Sequence, residues 1–375
     1  MNEPSTEKLE IKKSTLEKVA DDPVKSAKLY HLVYIGKPEP GITRKKSGSN
    51  FKYYQDEKEI KDLDTLIRIK YLVIPPAWTD AWICSQPNGH LQATGIDAKG
   101  RKQYRYHSLW NKMRSETKYF RLYEFGKSLP AIRQQLDKDV ASQGLHLKKI
   151  LATVVLLMER TSIRVGNSLY EKLYGSFGLT TLKNRHVNIK GSTIRFVFKG
   201  KKGVHHAISL KSRRLANIVQ KCHDIPGKEL FQFYDDAGNT HAIDSGMVNE
   251  YIQEISGAEF SSKDFRTWAG TSFALAMCKE KGDVETEKEM KHNTVEILDE
   301  VAKRLGNTRT VCRKHYVHPL IIELYENHKL SVYLNETTTP ISSGNETGYT
   351  PEEKMLLKIL EDNSKTAKVI EVPFI

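Results

Sequence analysis

The sequence predicts a multidomain α+β protein: a small β-rich N-terminal domain, then a mainly α-helical catalytic domain that holds a three-stranded antiparallel sheet. Three observations predict it. From about Leu29 to His107 the text falls into short β-compatible runs separated by turn signals such as PNG and DAKG. From Ser108 onward apolar residues recur at helical spacing, as in LKKILATVVLLMER (147–160), which is expected to bury one face. Inside that helical text, HVNIKGSTIRFVFKGKKGVHHAISL (186–210) alternates with period two around the turns at Lys190-Gly191 and Lys199 to Gly203.

In chain order, residues 1–27 read as a charged, near-neutral leader with room for a short helix. Residues 28–107 form the N-terminal domain. Its stretch WICSQPNGHLQATGIDAKGRKQYRYH is a meander whose last strand carries Arg101, Lys102, Tyr104, Arg105, Tyr106 and His107. Alternating cations and aromatics suit a surface against phosphate and sugar, and equally an ordinary half-buried strand with its tyrosines inward. Residues 108–330 form the helical domain. Within it Gly306 ends the helix NTVEILDEVAKRLGN, and Pro319 opens another at its first position. Residues 331–375 form an acidic tail, with a Pro/Gly/Ser/Thr-rich linker at 335–350 and a short amphipathic helix in EKMLLKILED. A solvated tail is the expected state.

The 59 Lys+Arg against 46 Asp+Glu give a formal charge of +13. The leader is near neutral and the tail acidic, so the folded body carries the excess. That points to a polyanion, with nucleic acid the commonest. Cys84, Cys222, Cys278 and Cys312 are far apart and make no CxxC pair, which argues against a disulfide framework or a zinc site and fits a reducing, cytoplasmic compartment. The longest apolar run, Ile150 to Met158, is too short for a membrane span, and no signal peptide is visible. The GKS at Gly126 lacks the upstream glycine of a phosphate-binding loop, so ATP-driven work is not expected.

Six residues scattered over the helical domain carry chemistry when taken together: Arg164, Lys201, Lys263, Arg266, Asn307 and Tyr316. Each alone also has an ordinary structural explanation, as a helix-end charge, a turn lysine or a cap. Phosphodiester transfer needs such a set. A phenol can attack and keep the phosphate as an ester, two guanidiniums can clamp the non-bridging oxygens, and a lysine can protonate the departing oxygen. The pairs His205-His206 and Cys222-His223 are adjacent and cannot easily face one ion, so no metal is assigned.

The segments WICSQPNGHLQATGIDAKGRKQYRYH, IRVGNSLYEKLYGSFGLTTLKNRHV, FKGKKGVHH, KDFRTWAGT and LGNTRTVCRKHYVHP resemble, in letters, order and spacing over residues 29–330, the type IB DNA topoisomerases, in particular their compact poxviral and bacterial branch. The resemblance implies the catalytic fold shared with tyrosine recombinases. It implies Tyr316 as the nucleophile that forms a 3′-phosphotyrosyl link, and Arg164 and Arg266 as clamp arginines. Lys201 would be the general acid, with Lys199 and Lys202 as neighbouring registers, and Lys263 the second lysine of the relay. Asn307 stands where poxviral and nuclear enzymes carry histidine; asparagine can donate a hydrogen bond to a phosphate oxygen but cannot titrate. Tyr170 would touch DNA. The implied protein is a monomer that clamps duplex DNA near the nucleoid and relaxes it without cofactor or metal. Two other readings compete: a tyrosine recombinase, which usually presents His-x-x-Arg where this chain has Lys263-x-x-Arg266, and a non-catalytic basic DNA-binding protein.

Overall fold

The computed structural model describes residues 6–11, 22–36, 40–48, 50–98, 100–334, 348–363 and 368–373. It divides into two units, Met1–Arg121 with Asn363–Ile375, and Leu122–Asp362. The first contains β1 (Thr6–Ile11), α1 (Pro23–Leu29), β2 (Ile42–Ser47), β3 (Asn50–Gln55), β4 (Lys58–Glu59), α2 (Leu63–Tyr71), β5 (Thr79–Ile83), β6 (Leu91–Ile96) and β7 (Lys102–Tyr106). Helix α3 (Ser108–Ala141) runs on into the second unit. There follow α4 (Leu147–Thr161), α5 (Ser168–Tyr174), β8 (Val187–Lys190), β9 (Thr193–Lys199), β10 (His205–Lys211), α6 (Arg213–His223), β11 (Gln232–Tyr234) and β12 (Thr240–Ala242). The remaining elements are α7 (Ser245–Ser256), α8 (Ser262–Lys281), α9 (Glu287–Leu305), α10 (Arg309–His315), α11 (Pro319–Glu326), α12 (Ser331–Leu334), α13 (Pro351–Asp362) and β13 (Lys368–Pro373).

In the first unit, six antiparallel strands take the order β4-β3-β2-β5-β6-β7. The expected meander is β5-β6-β7. The register places Ile42, Ile83 and Ala93 in one row, and these pack with Ile69 of α2 into a small core. The next row, Tyr54–Thr43–Trp82–Thr94–Tyr104, therefore belongs to the opposite face, because side chains alternate along a strand. The run LIRIKYL is helical up to Tyr71, ending before Pro75 and Pro76. Within the leader, α1 begins where the Asp22 carboxylate accepts from the Val24 and Lys25 amides, at 3.0 Å each. Residues 1–5 and 12–21 lie outside the described residues.

The expected boundary before Ser108 marks the start of α3, whereas the contacts divide at Arg121/Leu122, inside that helix. Packing gives the reason. Leu109, Trp110 and Met113 cluster with Ala27, Tyr30 and Leu32, while Leu122, Phe125, Leu129 and Ile132 enter the large core.

That core is built around α4. The one-sided helix expected there is buried all round from Ile150 to Met158, because β10, α7, α8, β11 and the 3-10 turn Leu179–Thr181 surround it. The three-stranded sheet has β9 in the middle; Ile194, Phe196 and Phe198 point into the core. Gly306 ends α9 in the left-handed region (φ 60°), and Pro319 opens α11. The solvated tail requires correction. Met355, Leu356, Ile359 and Leu360 of α13 are buried in the large core, and β13 pairs antiparallel with β1. Residues 335–347 of the linker lie outside the described residues.

Candidate functional site

Arg164 reaches its place because α4 stops abruptly. Ser162 adopts a left-handed conformation (φ 56°) and turns the chain out of the helix. The Arg164 carbonyl then accepts from the Leu179 amide at 2.9 Å, and the Val165 carbonyl from Thr180 at 2.7 Å. Gly166 and Gly178 let these segments touch: a Cβ on Gly178 would stand 2.6 Å from the Gly166 nitrogen. From this fixed backbone the Arg164 guanidinium donates to the Gly306 carbonyl (3.0 Å) and to Asn307 Oδ1 (2.5 Å).

Arg266 comes from the first turns of α8, whose start is set by the Ser261–Asp264 capping box. It is only 4% exposed. One terminal nitrogen donates to the Ser162 carbonyl and the other to Leu305 at 2.8 Å, so Arg266 ties the end of α4 to the end of α9. Its guanidinium carbon lies 5.1 Å from the centroid of the Tyr316 ring. Its buried Nε has no hydrogen-bond partner. An orphaned donor on a buried cation is what a site built for an incoming anion would hold in reserve.

Tyr316 follows α10, its amide donating to Cys312 at 2.9 Å. Its carbonyl sits against Gly270 of α8, where a Cβ would come within 2.6 Å. Thr271 Oγ1 shares its one proton between the Thr267 carbonyl (2.8 Å) and the Tyr316 carbonyl (3.3 Å), and accepts from the His318 amide at 3.1 Å. Helix α8 thus supplies Arg266 and the seat of Tyr316. Burial, and then the nearby Arg266, push Arg164 down to about 10, while Tyr316 and Cys312 pull it back. Burial likewise lowers Arg266, opposed by the charge and hydrogen bonding of Tyr316. Holding both guanidiniums away from water carries a desolvation cost that an anion between them would offset.

Arg164, Arg266, Asn307 and Tyr316 are therefore brought together. Lys201 and Lys263 are exposed, and make none of the hydrogen bonds or ion pairs recorded for these four among the described residues. Lys263 lies in the first turn of α8. Lys201 lies on the 3-10 turn Lys201–Gly203 between β9 and β10, followed by Lys202 in the left-handed region (φ 61°). The base of that turn is anchored by a residue that sequence reasoning did not assign. His206 stacks on Phe198 (centroids 5.0 Å apart), and its ring fills the space left open by two glycines. A Cβ on Gly200 would lie 2.7 Å from it, and one on Gly306 2.4 Å. His206 thus links the hairpin to the corner that carries Asn307. Burial first, then Arg164 and Arg266, lower its pKa, so it is neutral at pH 7 and adds no third positive charge. The signal available in the sequence was its inward place in the β10 alternation. Gly270 and Thr271 were likewise missed; they belong to the quoted KDFRTWAGT but carry no charge to draw notice.

Of the candidate DNA-contacting residues, Lys102 and Tyr104 are exposed and Tyr106 is half-buried against the Tyr30–Trp110 cluster. Lys102 reaches over Tyr104 (5.8 Å), and Tyr104 stacks on Tyr106 (6.0 Å). Tyr104 thus faces outward from the strand, whereas Tyr106 packs inward. Arg101 precedes the strand and pairs with Asp97 at 2.6 Å; Arg105 donates to the Leu72 carbonyl at 2.7 Å. These two arginines are engaged with their own unit. Tyr54 and Trp82, in the row that contains Tyr104, and Lys45, whose ammonium stands 4.9 Å from the Tyr54 ring, extend the same face and were not singled out from the sequence. In the second unit, Tyr170 is 46% exposed on α5 between exposed Leu169 and Leu173. The register puts Lys190, Arg195, Lys199 and Lys211 on one exposed sheet face, none of them paired with an acid among the described residues.

Among the described residues no group of three or more His, Cys, Asp or Glu could hold a metal ion, and no helix is long and apolar enough to cross a membrane.

Residues 107–337 match the family described as eukaryotic DNA topoisomerase I, catalytic core, and residues 50–97 match the bacterial DNA topoisomerase IB N-terminal domain. A DNA topoisomerase 1B from Acanthamoeba polyphaga mimivirus is 33% identical over 299 residues, covering 77% of this chain and 88% of the relative. A DNA topoisomerase 1B from vaccinia virus (strain Copenhagen) is 24% identical over 279 residues, covering 72% and 85%.

Proposed function

The chain belongs to the type IB DNA topoisomerases, and from that premise we propose how its residues perform the reaction. The protein relaxes supercoiled duplex DNA by transient cleavage of one strand, rotation and religation. The Tyr316 oxygen attacks the scissile phosphorus, the bond to the 5′ oxygen breaks, and the 3′ phosphate remains as an ester of Tyr316. The 5′-OH end rotates about the intact strand, then attacks the phosphotyrosine and restores the phosphodiester. One ester replaces another, so the bond energy is conserved and ATP has no part to play.

Arg164 and Arg266 are assigned to the non-bridging oxygens. Their charge in a dry, fixed setting favours the transition state, where those oxygens gain negative charge. Asn307 orients Arg164 and presents its amide nitrogen to the phosphate. Lys201 delivers the proton to the departing 5′ oxygen, with Lys263 beside it in the relay. Both units engage one duplex, the first through Lys102, Tyr104 and their sheet neighbours, the second through Tyr170 and the basic sheet face. The working form is a monomer clamped on DNA in the reducing cytoplasm, at the nucleoid. We infer for the second unit the catalytic fold of tyrosine recombinases.

The observation that carries the reading is the buried Arg266 guanidinium 5.1 Å from the Tyr316 ring centroid, with the half-buried Arg164 held beside it by Gly306 and Asn307. The test is plasmid relaxation in chelator without ATP, with denaturant trapping of the adduct and mapping of the labelled peptide. Relaxation and a label on Tyr316 are expected, and Tyr316→Phe is expected to form no adduct. A strict need for magnesium or ATP, or a label elsewhere, would overturn the assignment. Joining of two specific sites without relaxation of arbitrary plasmid would favour a recombinase instead.

A further inference from the structure

Helix α8 carries Arg266 and seats the Tyr316 carbonyl through Gly270 and Thr271. Two residues after Arg266 the same helix presents Trp268, which is 4% exposed. The Trp268 ring rests on Gly126 of α3, where a Cβ would lie 2.4 Å away. Its indole nitrogen donates to Glu353 Oε1 at 2.9 Å. Glu353 belongs to α13, which lies beyond residue 337, where the match to the catalytic core ends.

The Glu353 carboxylate is buried and fully engaged. It accepts both terminal nitrogens of Arg133 (2.9 and 2.7 Å) and the Thr350 amide (3.0 Å). Arg133 is fixed in turn by Glu159 of α4 (2.8 Å) and by the Gly348 carbonyl (2.7 Å). A carboxylate is costly to bury, and this one is compensated by four donors gathered from α3, α8 and the start of α13. Helix α8 is consequently held on two sides. Arg266 binds the Ser162 and Leu305 carbonyls on the site side; Trp268 binds Glu353 on the other.

We infer that Glu353 is a positioning residue: the C-terminal helix braces α8 through the Glu353–Trp268 hydrogen bond and so holds Arg266 and Tyr316 in register for strand cleavage. The inference rests on the reaction proposed above. Loss of the brace leaves DNA binding in place and displaces the charges that meet the transition state. A displacement of an ångström in such a site is enough to slow the chemical step.

The test uses the full chain and single-turnover cleavage of a nicked duplex. Glu353→Gln is expected to lower the rate constant at saturating DNA about tenfold with Kd unchanged. Trp268→Phe, which removes the N–H together with part of the indole but keeps an aromatic ring at the position, is expected to act in the same direction. In an Arg266→Lys background Glu353→Gln should cost less than about twofold, because the group it positions is already altered, whereas in a Lys201→Ala background the full loss should persist. A general loosening of the fold would not show that selectivity. Unchanged rates in both Glu353→Gln and Trp268→Phe overturn the inference, and so does an equal loss in every background. Should Glu353→Gln melt below the assay temperature, Trp268→Phe decides. A wild-type adduct at Tyr316 in the same assay separates failure of the brace from failure of the proposed reaction.

Discussion

The two halves of the site are built differently. Arg266 is buried and Arg164 half-buried; they are hydrogen-bonded to the Gly306, Ser162 and Leu305 carbonyls and fixed before any ligand arrives. Lys201 and Lys263 are exposed, one on a turn and the other on the first turn of a helix. The difference suits the roles proposed for each half. Charge that develops on non-bridging oxygens is met best by dipoles and cations that need no reorganisation, because reorganisation would consume the gain. A proton donor has to reach an oxygen whose position is defined only once DNA is bound, and to leave room for the strand to rotate, so a flexible ammonium on a hairpin tip suits it.

The comparison breaks first at the arginines. Arg164→Ala or Arg266→Ala is expected to slow single-turnover cleavage by about 10²–10³-fold, and lysine at either position should not restore it, since an ammonium lacks the planar fork. Equal activity in the lysine variants would mean that bulk charge, not fixed geometry, is what the site uses. Lys201→Ala sharpens the contrast. It is expected to lose about 10²-fold on an ordinary strand and to recover almost fully on a substrate whose leaving group needs no proton, whereas the arginine variants gain no such recovery. Lys199→Ala and Lys202→Ala give much smaller losses; a larger loss in either would move the general acid along the hairpin. The smallest effect lies on the sheet of the first unit. Lys45→Ala and Lys102→Ala should each weaken duplex binding and reduce the slope of log K against log salt by about one. An unchanged slope would remove that face from the DNA interface.

Much of this was legible in the letters because the signals are local. Period-two alternation between lysine-glycine turns gave β8, β9 and β10, and glycine and proline punctuation gave the ends of α9 and α11. The cations were visible singly, and the resemblance, rather than their spacing, joined them to Tyr316. What stayed hidden depends on neighbours remote in sequence. LKKILATVVLLMER shows a one-sided pattern, yet the polar Thr153 is buried because its hydroxyl donates to the Lys149 carbonyl at 2.8 Å, so the helix can be enclosed on all sides. Glu353 reads as one acid in an acidic tail; only the fold brings Arg133 and Trp268 to it. His206 has no charge to announce it at neutral pH, and its role as a wedge exists only where Gly200 and Gly306 meet.

All four cysteines are buried, and burial raises the thiols of Cys222 and Cys278 to about 12 and that of Cys312 to about 11. The reactive species toward alkylating or oxidising agents is the thiolate, so the intact fold offers such agents almost no target. Electrophile labelling of Cys222 and Cys278 therefore works as a clock for opening of the catalytic unit, silent while it stays closed and counting each excursion that lets reagent in.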